Sequence, residues 1–161
     1  MRLGSRCSPS DGDCSNGLLP TTGGKTLDSE VRYPTPAEVA EYHAAVVGVA
    51  DTDPRSGVRD WNLLLSALHR PRAAAFHAAF YEEADLIRQG ATPLWGLVEN
   101  PPFHDRNKRT AWVTAEVFRT VNGHQVAATD DQIFPIVVGI AQGMALDDAE
   151  SWLREHVSAI A

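Results

Sequence analysis

Apolar residues recur at helical spacing through most of this chain. Thr35-Pro36-Ala37-Glu38 is a capping box with proline at the first helical position, and Val39, Tyr42, His43, Val46 and Val47 follow on one face up to Gly48. That segment predicts a helix. Ala50 to Gly57 reads as a loop, after which Asp60 caps a helix that turns Leu63, Leu64, Ala67 and Leu68 inward. Pro71 is expected to end it, because proline removes a backbone donor and crowds the preceding turn. From Arg72 the spacing of Ala75, Phe76, Ala79 and Phe80 continues toward Leu86 and Ile87, with Gly90 as the stop. Thr92 and Pro93 then restart a short helix carrying Leu94, Leu97 and Val98.

The second half repeats the pattern. Asn107 to Val121 places Ala111, Ala115 and Phe118 on one face and stops at Asn122-Gly123, which predicts a central, buried helix. Asp130 or Asp131 caps a helix carrying Ile133, Phe134, Ile136, Val137 and Ile140. Asp147 begins another with Ala149, Trp152, Leu153, His156 and Val157 inward. An extended pair near Gln125-Val126 is the one signal for strand. The expected class is all-α, with six or seven short helices around the helix at about 107–121.

Composition narrows the function classes. With 161 residues, 43% of them hydrophobic, the chain has enough apolar surface for one core. The net charge of -7 opposes general nucleic-acid binding, since a phosphate backbone would be repelled. The longest apolar run, Phe134 to Ala141, is about eight residues against the roughly twenty a membrane span needs. No secretory signal pattern is visible at the start, so the expected location is the cytoplasm. From Met1 to about Lys25 the chain is rich in Ser, Gly, Thr and Asp, so residues 1–30 are expected to be a disordered leader and residues 31–161 the folded domain. Cys7 and Cys14 lie in that leader with no histidine nearby, and two thiols alone do not make a zinc site.

Candidate chemistry is concentrated in Asn100 to Thr110, N-P-P-F-H-D-R-N-K-R-T. A constrained turn here feeds a helix whose first residues are Asn107, Lys108 and Arg109. Backbone N–H groups at a helix start attract phosphate, two cations can pair with its oxygens, and Asp105 is placed to hold a divalent metal. Each residue also has a plainer role: Asp105 or Asn107 as a helix cap, Lys108 and Arg109 as solvated charges. Cations on a first turn work against the helix dipole, which favours the anion reading for that pair. The remaining histidines, His43, His69, His77, His124 and His156, show no paired ligand spacing, and the four tryptophans sit on helical faces where packing is the default.

The stretch P-F-H-D-R-N-K-R-T-A resembles the Fic/Doc signature H-P-F-x-D-G-N-K-R-T-A, and the likeness is to the Doc, or death-on-curing, toxin branch. Gly57 to Pro71, Leu94 to Asn100 and Val121 to His124 are similar to the family's flanking segments, so the resemblance runs from roughly Val31 to His156. It implies transfer of a phosphoryl or nucleotidyl (AMP) group from ATP or another nucleotide to a protein hydroxyl, with Mg2+ as cofactor. A translation factor is the implied target, and a separate small antitoxin protein the implied inhibitor. By resemblance Phe103 anchors the loop, Asp105 holds the metal, and Asn107, Lys108 and Arg109 bind phosphate.

Two positions depart from that pattern. The family histidine that takes the proton from the attacking hydroxyl aligns with Pro101, which has no base; general-base help is worth about 10²–10⁴-fold. The family's small residue before the asparagine aligns with Arg106. His104 lies three positions beyond Pro101 and is not expected to replace the base. The sequence therefore leaves three readings: an impaired Doc-like transferase, a catalytically dead relative that binds nucleotide or antitoxin, or an inactivated copy that folds and does nothing. An inhibitory S/T-x-x-x-E-G/N motif is discounted, since Thr26 to Val31 carries Val31 where Gly or Asn belongs.

Overall fold

The computed structural model describes residues 31–50, 52–78 and 86–161, without the side chains of residues 72–78. The expected leader with its two cysteines, Ala79 and Phe80, and the side chains of Ala75 and Phe76 lie outside the described residues.

Helix α1, Pro36–Val47, starts as its sequence dictates. Glu38 N–H donates to Thr35 Oγ1 at 3.2 Å, and Thr35 N–H donates to Glu38 Oε2 at 2.7 Å. Gly48 closes it with φ 68, and its N–H donates to the Ala44 carbonyl. A short 3₁₀ turn, Pro54–Ser56, follows. Helix α2, Trp61–Ala78, is capped by Asp60, whose Oδ1 accepts from Asn62 and Leu63 N–H at 2.9 and 3.1 Å.

Pro71 does not end α2. It is buried, and it extends the stripe of Leu64, Ala67 and Leu68 by one more turn, so packing offsets the lost backbone bond. Helix α3, Leu86–Glu99, corrects the sequence reading in the same way. It runs unbroken through Gly90 and Pro93, and Thr92 is no cap: its hydroxyl donates to the Arg88 carbonyl one turn back, at 2.8 Å. Nearly every residue from Gln89 to Val98 is buried, as expected for a helix enclosed on all sides. A Cβ on Gly90 would lie 3.3 Å from the Phe118 ring, and one on Gly96 3.3 Å from Ala67 Cβ. Both glycines therefore serve close helix approach.

Helix α4, Asn107–Val121, buries Thr110, Ala111, Thr114, Ala115, Phe118 and Arg119. It packs on α3 and α1. Strand β1, His124–Val126, fulfils the extended expectation, and its partner is β2, Val157–Ala159, paired antiparallel with Gln125 opposite Ser158. Between them come α5, Asp130–Ala141, and α6, Leu146–His156. The cap of α5 is Thr129, whose N–H donates to Gln132 Oε1 at 2.9 Å, rather than Asp130 or Asp131. Those two acids sit in the first turn, where the helix dipole favours them.

The described residues thus form six helices and one two-stranded ribbon, an all-α class of the Fic/Doc-like kind expected from the sequence. The core joins Leu64, Ala67, Leu94, Leu97, Phe103 and Ile140, all at most 1% exposed. Two side chains break the packing expectation. Trp61 is 52% exposed, whereas the other three tryptophans are half-buried. Arg119 is 2% exposed, and none of its guanidinium nitrogens has a hydrogen-bond partner among the described residues; the Trp112 ring lies 5.1 Å away. Among the described residues no helix is long and apolar enough to cross a membrane.

Candidate functional site

The loop between α3 and α4 is held from below by an aromatic anchor. Phe103 is 1% exposed and stacks on the His43 ring, with centroids 3.9 Å apart and planes at 13°. His43 Nε2 lies 2.9 Å from the Arg55 carbonyl, which can only accept, so Nε2 carries the proton. Nδ1 then accepts from the Thr110 hydroxyl at 3.0 Å. Burial holds the imidazole below its usual 6.5, outweighing the Arg55 carbonyl and the more distant Asp105 charge. One neutral histidine thus ties α1, the 3₁₀ turn and α4 to the loop.

Residues before α2 strap the loop from the side. Arg59 and Asp60 N–H both donate to the Pro102 carbonyl, at 2.8 and 3.0 Å. The Arg59 guanidinium donates to the Pro101 carbonyl at 2.7 Å, and Val58 bridges to Phe103. The sequence did not single out Arg59. Nothing in its neighbours along the chain marks a bond across 42 positions.

Asn107 closes the loop from above. Its Oδ1 accepts from Phe103 N–H at 2.9 Å and its Nδ2 donates to the Phe103 carbonyl at 3.0 Å. The amide thereby copies a backbone pairing and fixes the turn. Arg106, the N-cap of α4, has φ 56 and ψ 18 and is the only non-glycine residue in the left-handed region among the described residues. Asp105 Oδ1 accepts from Arg106 N–H at 2.6 Å, and its Oδ2 lies 3.6 Å from Arg106 Nε. Neither Asp105 nor Asn107 caps α4 through its side chain.

Above this turn lies an open groove of about 780 Å³. Pro101, Asp105, Asn107, Lys108 and Arg109 all line it, together with His104 and Arg106. Phe103 does not, being the buried anchor beneath. The far wall is α5, with Asp130 at its start and Ile133, Phe134 and Val138 along it. Phe134 is 69% exposed. Sequence reading grouped it with the other apolar residues of α5 without singling it out; the available signal was the width of that set, which spans more of the helix than one buried stripe can cover. The groove thus has a cationic end, in a chain of net charge -7, and an apolar side.

The magnesium ion implied by the resemblance does not fit this donor set. Asp105 is the loop's only carboxylate, and both its oxygens are turned to Arg106. Asp130 is the one other acid on the groove, and the described residues contain no cluster of three or more His, Cys, Asp or Glu able to hold a metal.

Comparison with known proteins agrees with the loop. A family model described as the Fic/DOC family matches residues 32–119, just over half of the chain. A curated relative, Toxin Doc of Mycolicibacterium smegmatis, is 40% identical over 74 residues, which is 46% of this chain and 55% of the relative. The chain therefore spans about half the length of that relative. The family match includes α3 and most of α4.

Proposed function

The chain belongs to the Fic/DOC family, and on that premise we propose that it is a Doc-like transferase, impaired as it stands, which moves a phosphoryl or AMP group from ATP or another nucleotide to a protein hydroxyl. The observation that carries this reading is the groove itself, where Lys108 and Arg109 on the first turn of α4 face an opening large enough for a nucleotide. Transfer of this kind needs positioning and charge neutralisation more than covalent help. Lys108 and Arg109 bind the phosphates together with the free N–H groups of the helix start. Asn107, Arg59 and His43 hold the loop rigid so that those donors keep their geometry.

Activity is low because no base stands at Pro101. The protein target, a translation factor in the family resemblance, and a small antitoxin partner belong to the same proposal, as does action in the cytoplasm. Toxin Doc is similar over only part of its length, so its name supports the class and not the target.

A second reading, a binding module without turnover, has one observation in its favour. The α5 wall leaves Phe134 exposed beside the cationic end, a surface that suits an amphipathic antitoxin segment as well as a nucleotide base.

One comparison separates these readings. Incubated with radiolabelled ATP, magnesium and a translation-factor substrate, the Pro101→His, Arg106→Gly double variant should label its target about 10²-fold or more faster than the wild-type chain. Equal, substantial rates would overturn the missing-base argument. Nucleotide binding without labelling by either protein would favour the binding module.

A further inference from the structure

The metal that the family resemblance implies and the donor set on the groove disagree, and Arg106 is the reason. Magnesium prefers hard oxygen ligands, usually one or two carboxylates with substrate phosphate and water. On this loop the carboxylate that would serve is Asp105. Its Oδ1 is held by Arg106 N–H at 2.6 Å, and its Oδ2 lies 3.6 Å from Arg106 Nε. A dication approaching Asp105 would meet a permanent positive charge within a few ångströms. The second acid, Asp130, belongs to another helix, and His104, Lys108 and Arg109 add no anionic donor.

Arg106 also brings what an ion would supply. A guanidinium stays charged at any working pH and presents a fork of donors that matches phosphate oxygens. It lines the same groove as Lys108 and Arg109, so three cations face one opening. Both side chains of the Asp105–Arg106 pair are solvent-accessible, at 62% and 47%, and the contact involves only Nε, so the guanidinium can stay beside Asp105 while its terminal nitrogens reach a phosphate.

We propose that this loop takes the phosphates of its nucleotide without a divalent cation, the Arg106 guanidinium standing where an ion on Asp105 would otherwise be. The inference rests on the nucleotide reading above and deepens it. Asp105 then serves to orient Arg106, and Lys108 and Arg109 complete the cradle.

The test is calorimetric titration of the whole chain with ATP, in EDTA and again in millimolar magnesium. The wild-type chain should bind ATP in EDTA at least as tightly as in magnesium. Arg106→Gly should bind more weakly in EDTA, on the order of ten-fold, and should regain affinity when magnesium is added. Glycine suits the left-handed backbone at this position, and a melting curve of the variant checks that it folds. Wild-type binding that vanishes in EDTA overturns the proposal, as does an Arg106→Gly variant that matches wild type in EDTA. If the folded wild-type chain binds no ATP in either buffer, the nucleotide reading itself falls, and this inference with it.

Discussion

Asn107 illustrates how much a single amide does in this loop. Both its polar atoms are spent on the backbone of Phe103, whose ring is the loop's buried anchor. Removing them leaves an N–H and a carbonyl beside the core without partners. Asn107→Ala should therefore lower stability by about 2–3 kcal/mol in urea unfolding, more than a surface change would. A loss below about half a kcal/mol would show that the clamp does not hold the loop. At this scale the sequence identified the residue types on the loop, Asp105, Lys108 and Arg109, by chemistry and spacing, while Pro101 drew notice only through the family resemblance. It did not reveal that Asn107 serves the backbone or that Asp105 is paired to Arg106. A side chain's type limits its possible partners, while distance and angle select among them.

The helices show local signals overruled by packing. Proline in a helix interior costs about 3 kcal/mol and glycine about 1, and on those figures Pro71 and Gly90 read as stops and Pro93 as the first position of a new helix. In the folded chain each sits in a buried stripe. Burying a large aliphatic side chain contributes about 1.5–3 kcal/mol, and α3 buries Leu94, Leu97 and Val98 around its proline, enough to offset the local penalty. Capping signals fared better. The Thr35–Glu38 box forms as read, and α5 has the same device one residue earlier than the acids first chosen.

Arg119 is the element-scale anomaly. It lies on the buried face of α4 with no hydrogen-bond partner for its guanidinium among the described residues, and burial pushes that group down to about 10. The Trp112 ring offsets part of that cost through a cation–π contact. Arg119→Met keeps the length of the side chain and removes the charge, so it should raise stability by about 1–3 kcal/mol in chemical denaturation. A destabilised variant would mean that the charge has a partner in the native fold.

At the scale of the whole molecule, His43 couples the folded core to pH. Because burial favours its neutral form, the unfolded chain binds the proton more readily than the folded one. Stability from this group is therefore complete above 6.5 and is lost as pH falls below it. Thermal or urea unfolding should show stability falling as the pH is lowered from 7 to 5. Replacing His43 with Gln should flatten that slope, though at lower stability overall, while an unchanged slope would assign it elsewhere. Glu38 and Asp53 do not confuse this window. Their carboxyls are held below their ordinary 4.5 and 3.8, Asp53 at about 2, so what they contribute is present above those values and fades only at lower pH. The sequence by itself determined the helical class, the order of the helices and the cationic turn at Asn107 to Arg109. These follow from neighbours a few positions apart, where periodicity, capping and side-chain type act directly. Only the tertiary structure decided that helices pass through Pro71 and Pro93, that Phe134 lines a groove, that His43 supports Phe103, and that Asp105 lies against Arg106. Each of these depends on which surfaces meet and which charges come within reach, and spacing along the chain carries no measure of either.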